Sequence, residues 1–264
     1  MAENGGYAKP VLVTSGWLAD HLGDAGVVVA EVDENPDLYD EGHIPGAVKL
    51  HWKLDLQDPI ERDIVDKATF ERVLGERGIG NDTTVVLYGD KNNWFAAYAY
   101  WYLKVYGHGD VRILDGGRQK WIDEGRALTT DAPSPAAKSY SAKERDESIR
   151  AYRDQVREWL GKSDRALVDV RSPGEYAGDL IAPPGYEQEG AQRAGHIPTA
   201  ASIPWASAVT TAPNAAPTTT ATARSTTFPR MRNALDSWSI RPSLSQNGRG
   251  PGFEPGPRCP SGES

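Results

Sequence analysis

Cysteine occurs once in the 264 residues, at Cys259, so the chain can hold neither an internal disulfide framework nor a cysteine-rich metal site. Histidine is almost as sparse, with five residues, of which His21, His51 and His108 form no ligand-spaced set. His43 and His196 each stand in a Gly-His-Ile-Pro turn, which points to a structural part rather than a metal or a general base. A run of about 18 apolar residues, the minimum for a membrane helix, is missing throughout. The opening "MAENGGYAKPVLVTSGW" has no basic segment followed by an apolar one, so the expected location is cytoplasmic, with no membrane partner. Positive charge is in deficit as well: a net charge of -8 and a pI near 5.2 exclude a broad nucleic-acid surface. A small anionic substrate remains compatible wherever positive charge is local.

The charge is unevenly spread. Residues 207–264 carry six arginines and three acids, which leaves a net -11 on residues 1–206, and no lysine follows Lys162. Between 207 and 227, 18 of 21 residues are Thr, Ala, Ser or Pro, and only six of the last 58 are Leu, Ile, Val or Phe. Such a composition buries too little apolar surface to offset chain entropy, so 207–264 is expected to be a low-complexity, disordered tail.

What is present is a repeat. "YDEGHIPGAVKLHW" at 39–52 returns as "AQRAGHIPTAASIPW" at 191–205, with Gly42, His43 and Trp52 matching Gly195, His196 and Trp205 at an offset of 153. Upstream, "VAEVDENPDLY" and "ALVDVRSPGEY" match at Pro36/Pro173 and Tyr39/Tyr176 with an offset of 137. The second copy therefore holds about 16 extra residues, "AGDLIAPPGYEQEGAQ", which read as a polar loop. Thr199 stands where the first copy has Gly46.

In the first copy, β-branched runs at 27–32, 83–88 and 110–114 read as buried strands. They alternate with helical patterns that begin at Thr14 or Ser15, cover 66–78 and stop at Gly78, and begin after Asn92 or Asn93 and stop at Gly107. Strand and helix in alternation define an α/β fold: a mainly parallel sheet with helices on both faces and a site at the carboxyl ends of the strands. The expected organisation is a complete unit at 10–130, a Pro-, Ser- and Ala-rich linker at 131–148, the N-terminal part of a second unit at 149–206, and the tail. The first copy's "VVLYGD" transfers to a position near 238–243, where the sequence reads "WSIRPS" without a β-branched run. The two glycines of "DGGRQKW" read as a close turn, since no Lys-Ser/Thr pair follows them to cradle a phosphate.

The paired "GHIPGA" and "GHIPTA", the "DVRSPGEY" before the second of them and the "LDGGRQKWIDEG" that closes the first unit resemble the tandem-domain thiosulfate sulfurtransferases of the rhodanese family over residues 10–206. The resemblance implies transfer of sulfur from a small anionic donor such as thiosulfate to cyanide or a thiol, a thiophilic acceptor, with no cofactor. A cysteine opening a six-residue loop of the second unit attacks the outer sulfur, sulfite leaves, and the persulfide passes its sulfur on. Loop amides and the N-terminal end of the next helix lower the thiol pKa and hold the anion. Family first units are usually silent, and Asp90 here occupies the loop position where an active copy has Cys.

Three readings follow: an active enzyme, a defective copy whose frame shifts after about Ala206, or a non-catalytic binding or regulatory module. Cys259, in "CPSGES", follows no strand and is flanked by Pro257 and Pro260, so an incidental thiol is favoured over a catalytic one. Arg171 ends a second-unit strand and can either fork onto a sulfo group of the substrate or pair with Asp169 to order the loop.

Overall fold

The computed structural model describes residues 11–61, 63–187 and 191–208. Five short strands pair in parallel in the order β1-β5-β4-β2-β3: β1 (Leu12–Val13), β2 (Val27–Glu31), β3 (Val48–Lys49), β4 (Thr84–Tyr88) and β5 (Val111–Leu114). Alternation along β2 and β4 explains why these strands are apolar on both faces apart from Glu31 and Thr84. Ala30, Val32, Val85 and Leu87 enter one core with Phe70, Leu74, Ala99 and Tyr102, while Val29, Val86 and Tyr88 enter a second core with Leu18, Leu114 and Trp121. Both faces are therefore covered, as a parallel sheet requires. The expected α/β architecture, helices on both faces of a mainly parallel sheet, is the observed one.

Local chemistry sets the helix starts. Thr14 caps α1 (Ser15–Asp20) by accepting the Trp17 N–H, and Asp66 caps α3 (Lys67–Glu76) by accepting that of Thr69. A short α2 (Leu38–Glu41) follows β2, α4 spans Asp90–Val105, and α5 (Gly117–Asp123) follows a glycine pair. That pair makes a close turn: Gly116 and Gly117 have φ of 78° and 56°, and a Cβ on Gly117 would collide with Asn93 and the Gly89 carbonyl.

The segment 131–148 differs from a free linker. It runs as a strap along the first unit: Lys138 N–H donates to Gly75 O at 3.0 Å, Lys143 N–H to Tyr106 O at 3.0 Å and Asp146 N–H to Val105 O at 2.8 Å. Tyr140 is buried edge-on against Phe70, and its hydroxyl donates to Nδ1 of His108, whose Nε2–H donates to Thr83 O at 2.8 Å. Burial holds His108 below its ordinary pKa, consistent with this neutral tautomer.

Beyond the strap lie α6 (Arg153–Trp159), β6 (Val168–Asp169), α7 (Pro173–Ala177) and β7 (Ala201–Ser202), with β6 and β7 forming a two-stranded parallel sheet. Ser172 and Glu175 form a reciprocal capping box on α7. Thr199 takes φ 70°, close to the 79° of Gly46 in the first copy, so a β-branched residue occupies a left-handed turn that glycine occupies without strain. Among the described residues, no helix is long and apolar enough to cross a membrane.

If the strap belongs to the first core, Tyr140→Ala should destabilise the first unit by about 3 kcal/mol, as truncation of a buried aromatic does. A polypeptide ending at Arg150 should also melt cooperatively and at a higher temperature than one ending at Thr130. Equal melting temperatures for the two would contradict this assignment.

Candidate functional site

The carboxyl ends of β2 and β4 meet at Asp90, the residue that opens the loop into α4. Gly89 precedes it because the backbones cross there: a Cβ on Gly89 would collide with the Val32 carbonyl. Lys91, Asn92 and Asn93 then take left-handed conformations in succession, with φ of 42°, 56° and 64°, before the regular helix starts. Asn93 supports this strained turn by accepting Gly89 N–H at 3.0 Å and donating to Leu114 O at 2.7 Å.

The Asp90 carboxylate turns away from the loop interior. It accepts Glu34 N–H at 2.6 Å and Asn35 N–H at 3.2 Å, while its own N–H donates to Asp33 Oδ1 at 2.7 Å. Below this clasp, Glu31 pairs with Arg118 at 2.5 Å and accepts the Tyr88 hydroxyl; that hydroxyl accepts Ile44 N–H, and Arg118 also donates to Leu38 O. Asp33 is buried, and its Oδ2 faces no hydrogen donor. Burial first, then the neighbouring Glu31 and Asp90 carboxylates, push its pKa up to about 9. At neutral pH the Asp33 carboxyl is therefore held in its protonated form.

The rim is aromatic. Trp52 stacks on Phe95 at 4.5 Å, Trp94 lies 5.4 Å from Phe95, and Trp205 of the second copy stacks on Trp94 at 5.5 Å with an 8° tilt. Glu34 also pairs with Lys91 at 2.9 Å and accepts the hydroxyl of Tyr186, which belongs to the extra loop of the second copy. The hydrogen bonds from Tyr186 and Lys91 hold Glu34 below the usual carboxylate range.

In the second copy, Arg171 binds the Asp169 carboxylate in a fork, with Nη2–Oδ2 at 2.6 Å and Nε–Oδ1 at 3.0 Å, and Nη2 also donates to Gly195 O at 2.8 Å. The strand end is thereby tied to the Gly-His-Ile-Pro turn. This hydrogen bonding lowers the Asp169 pKa and raises that of Arg171. The two histidine turns repeat closely. His43 stacks on Tyr39 at 3.9 Å and donates Nδ1–H to its carbonyl at 2.9 Å; His196 stacks on Tyr176 at 3.8 Å with the same 2.9 Å bond. The two tyrosine hydroxyls donate to Ala47 O and Ala200 O. Cys259 lies outside the described residues.

Sequence reasoning placed Asp90 and Arg171 at strand ends but missed Asp33, Glu34, Lys91 and the aromatic rim. A glutamate inside the apolar run "VVVAEV" was an available signal for the buried network.

A five-stranded parallel sheet with a loop at this strand end and a histidine-tyrosine turn opposite is the arrangement of a rhodanese-like domain. The Rhodanese-like domain profile matches residues 14–124. The chain is 58% identical over 200 residues to "Putative thiosulfate sulfurtransferase" of Saccharopolyspora erythraea, which covers 76% of this chain and 70% of that one. It is also 58% identical over 208 residues to "Sulfur carrier protein TtuD" of Thermus thermophilus, with 77% and 73% covered. Among solved structures, the 3-mercaptopyruvate sulfotransferase SseA from Escherichia coli shares the fold, with a TM-score of 0.62, 23% identity and 74% of each chain covered. The anaerobic ergothioneine biosynthesis enzyme from Chlorobium limicola gives a TM-score of 0.61 at 29% identity, covering 74% of this chain and 50% of that one. The chain belongs to the rhodanese family of sulfurtransferases.

The Asp33 proton gives a pH prediction. The folded state keeps a proton up to about pH 9 that the unfolded chain releases above its ordinary value of 3.8, so this group's contribution to stability declines as pH rises through that window. Asp33→Asn cannot ionise and should flatten the decline, melting at least about 3 °C above the parent at pH 8 but not at pH 4. Parallel melting curves across pH 4 to 9 would contradict a protonated Asp33.

Proposed function

We propose that this chain descends from a two-unit thiosulfate sulfurtransferase and does not itself transfer sulfur. The observation that carries this reading is Asp90: the loop that opens at the strand end in the first unit begins with a carboxylate committed to the Glu34 and Asn35 amides. A carboxylate cannot form a persulfide. The only thiol of the chain, Cys259, lies 54 residues past Trp205, whereas Asp90 lies 38 past Trp52, the equivalent tryptophan. The repeated histidine-tyrosine turns support a second unit built on the same plan, for which residues 149–206 supply the N-terminal part.

The names of the relatives support thiosulfate as the kind of donor handled by the intact family, and the family resemblance implies a thiophilic acceptor, cyanide or a thiol. Arg171 is assigned first to ordering the turn between Asp169 and Gly195. These bonds use Nε and Nη2, so a sulfo group would have to be held through Nη1. Cytoplasmic location belongs to the same reading.

The purified chain should form no thiocyanate from thiosulfate and cyanide above a protein-free control, and Cys259→Ser should change nothing. An unpositioned thiol keeps a pKa near 8.5 and is only a few per cent thiolate at neutral pH. Turnover that disappears in Cys259→Ser would overturn the proposal. The coding DNA supplies an independent check: another frame after the Ala206 codon should encode a strand, a cysteine-led loop near 240 and a Gly-Gly/Trp closing motif near 270. If neither frame does, a non-catalytic binding or regulatory module replaces the defective copy as the better reading.

A further inference from the structure

The two units correspond residue by residue through their hydrogen bonds. In the first, β2 lies between β4 and β3, Ala30 is opposite Val48, and Leu50 N–H donates to Glu31 O at 2.9 Å. In the second, Val168 is opposite Ala201, and Ile203 N–H donates to Asp169 O at 3.0 Å. Thus β6 corresponds to β2 and β7 to β3, and Val168 and Val170 stand where Ala30 and Val32 stand. Among the described residues, nothing pairs with the other edge of β6, the edge on which β2 carries β4.

Side-chain burial shows what that edge lacks. Ala30 and Val32 are 0% exposed, against 37% and 38% for Val168 and Val170; Ile44 and Leu50 are 0% and 1% exposed, against 48% and 47% for Ile197 and Ile203. On the Leu167 side of the β6–β7 pair is a hollow of about 260 Å³ lined by Val156, Trp159, Leu160, Leu167 and Ala201, with Lys162 and Arg165 also contributing to its wall. Leu167 corresponds to Val29, and in the first unit Val29 packs with Val86 and Tyr88 of β4, Leu114 of β5 and Trp121 of α5. The exposed valines and the apolar part of the hollow are the complement of a strand of the β4 type, "TVVLY".

We propose that the open edge of β6 and this hollow form a docking site for a parallel, uncharged strand of β-branched and aromatic residues supplied by a different polypeptide. The inference rests on the reading that the second unit lacks its own counterpart of β4. An edge strand with unpaired amides is a template for such addition, main-chain bonds giving affinity and side-chain pockets specificity. A second copy of this chain is a poor donor, because its single "TVVLY" segment is held between β2 and β5. The chain's own sequence offers a poor one too: at the positions equivalent to "VVLY" it reads "WSIR", with Ser239 and Arg241 where the first unit has Val86 and Tyr88.

The test uses the full chain with valine selectively labelled with 15N and a synthetic peptide copying residues 82–89, "DTTVVLYG". The Val170 amide is the diagnostic signal, since its counterpart, the Val32 N–H, donates to Tyr88 O at 2.8 Å. Saturable shifts of the Val168 and Val170 signals are expected, and a peptide with proline at the position of Val86 should bind about tenfold more weakly or worse. Absence of any shift at millimolar peptide would overturn the proposal. So would a Val170 amide already slow to exchange in the chain alone: independence of protein concentration would assign the edge to the chain's own residues, and dependence on it to a second copy. Failure of the underlying functional reading registers separately, as thiocyanate formation.

Discussion

Glu31 is the carboxylate on which the first unit's architecture converges. It sits at the end of a central strand, fully buried, and is acceptable there only because Arg118 from the turn after β5 and Tyr88 from β4 both bind it. Removing one partner of a buried ion pair costs about 3–5 kcal/mol, because the other charge is left without compensation. Arg118 in turn donates to Leu38 O, and Tyr88 accepts the Ile44 amide, so one charge fixes two strands, α2 and the Gly-His-Ile-Pro turn. The corresponding carboxylate of the second unit, Asp169, is partnered by Arg171 two residues away and by no distant strand among the described residues. A local pair orders a turn; it cannot tie a sheet together.

The clasp above Glu31 is held in shape by the residues beneath it. The left-handed run Lys91–Asn93 is costly backbone, and it persists because Asn93, Gly89 and Gly117 interlock beneath it. With a carboxylate at position 90 engaged by amides of the neighbouring turn, the loop presents Lys91 to Glu34 and Trp94 to Trp205 instead of a nucleophile to solvent. This strand end holds the extra loop of the second copy through Tyr186 and its tryptophan through Trp94.

Much of this was legible in the chain. The apolar runs gave β2, β4 and β5, Thr14 was one of the two candidate caps of α1, and the Asn92-Asn93 pair marked the delayed start of α4, since asparagine tolerates the left-handed region better than other residues with a side chain. The strap was not legible, because a Pro-, Ser- and Ala-rich composition describes a linker equally well, and only the buried Tyr140 distinguishes the two. Nor was the Glu31-Arg118 pair, whose partners are 87 residues apart and follow no local period. The forked pair of Asp169 and Arg171 was one of two alternatives in the sequence, and two residues of separation sufficed to make it. Transfer of the repeat also missed by one residue: the strands align at an offset of 138, not 137, because the first unit carries one more residue between β2 and Pro36.

Among the described residues, the first unit has a closed core and the second an open one. Hydrogen exchange measured by mass spectrometry over the intact chain reads this directly, since closed cores exchange only through global opening whereas open elements exchange locally. The account predicts that β2, β4 and β5 share the slowest class, together with the backbone around Tyr140, and that β6 and β7 exchange at least about a hundredfold faster, a difference of nearly 3 kcal/mol. Equal protection of β6 and β2 would contradict it, because the second unit would then possess a core as complete as the first.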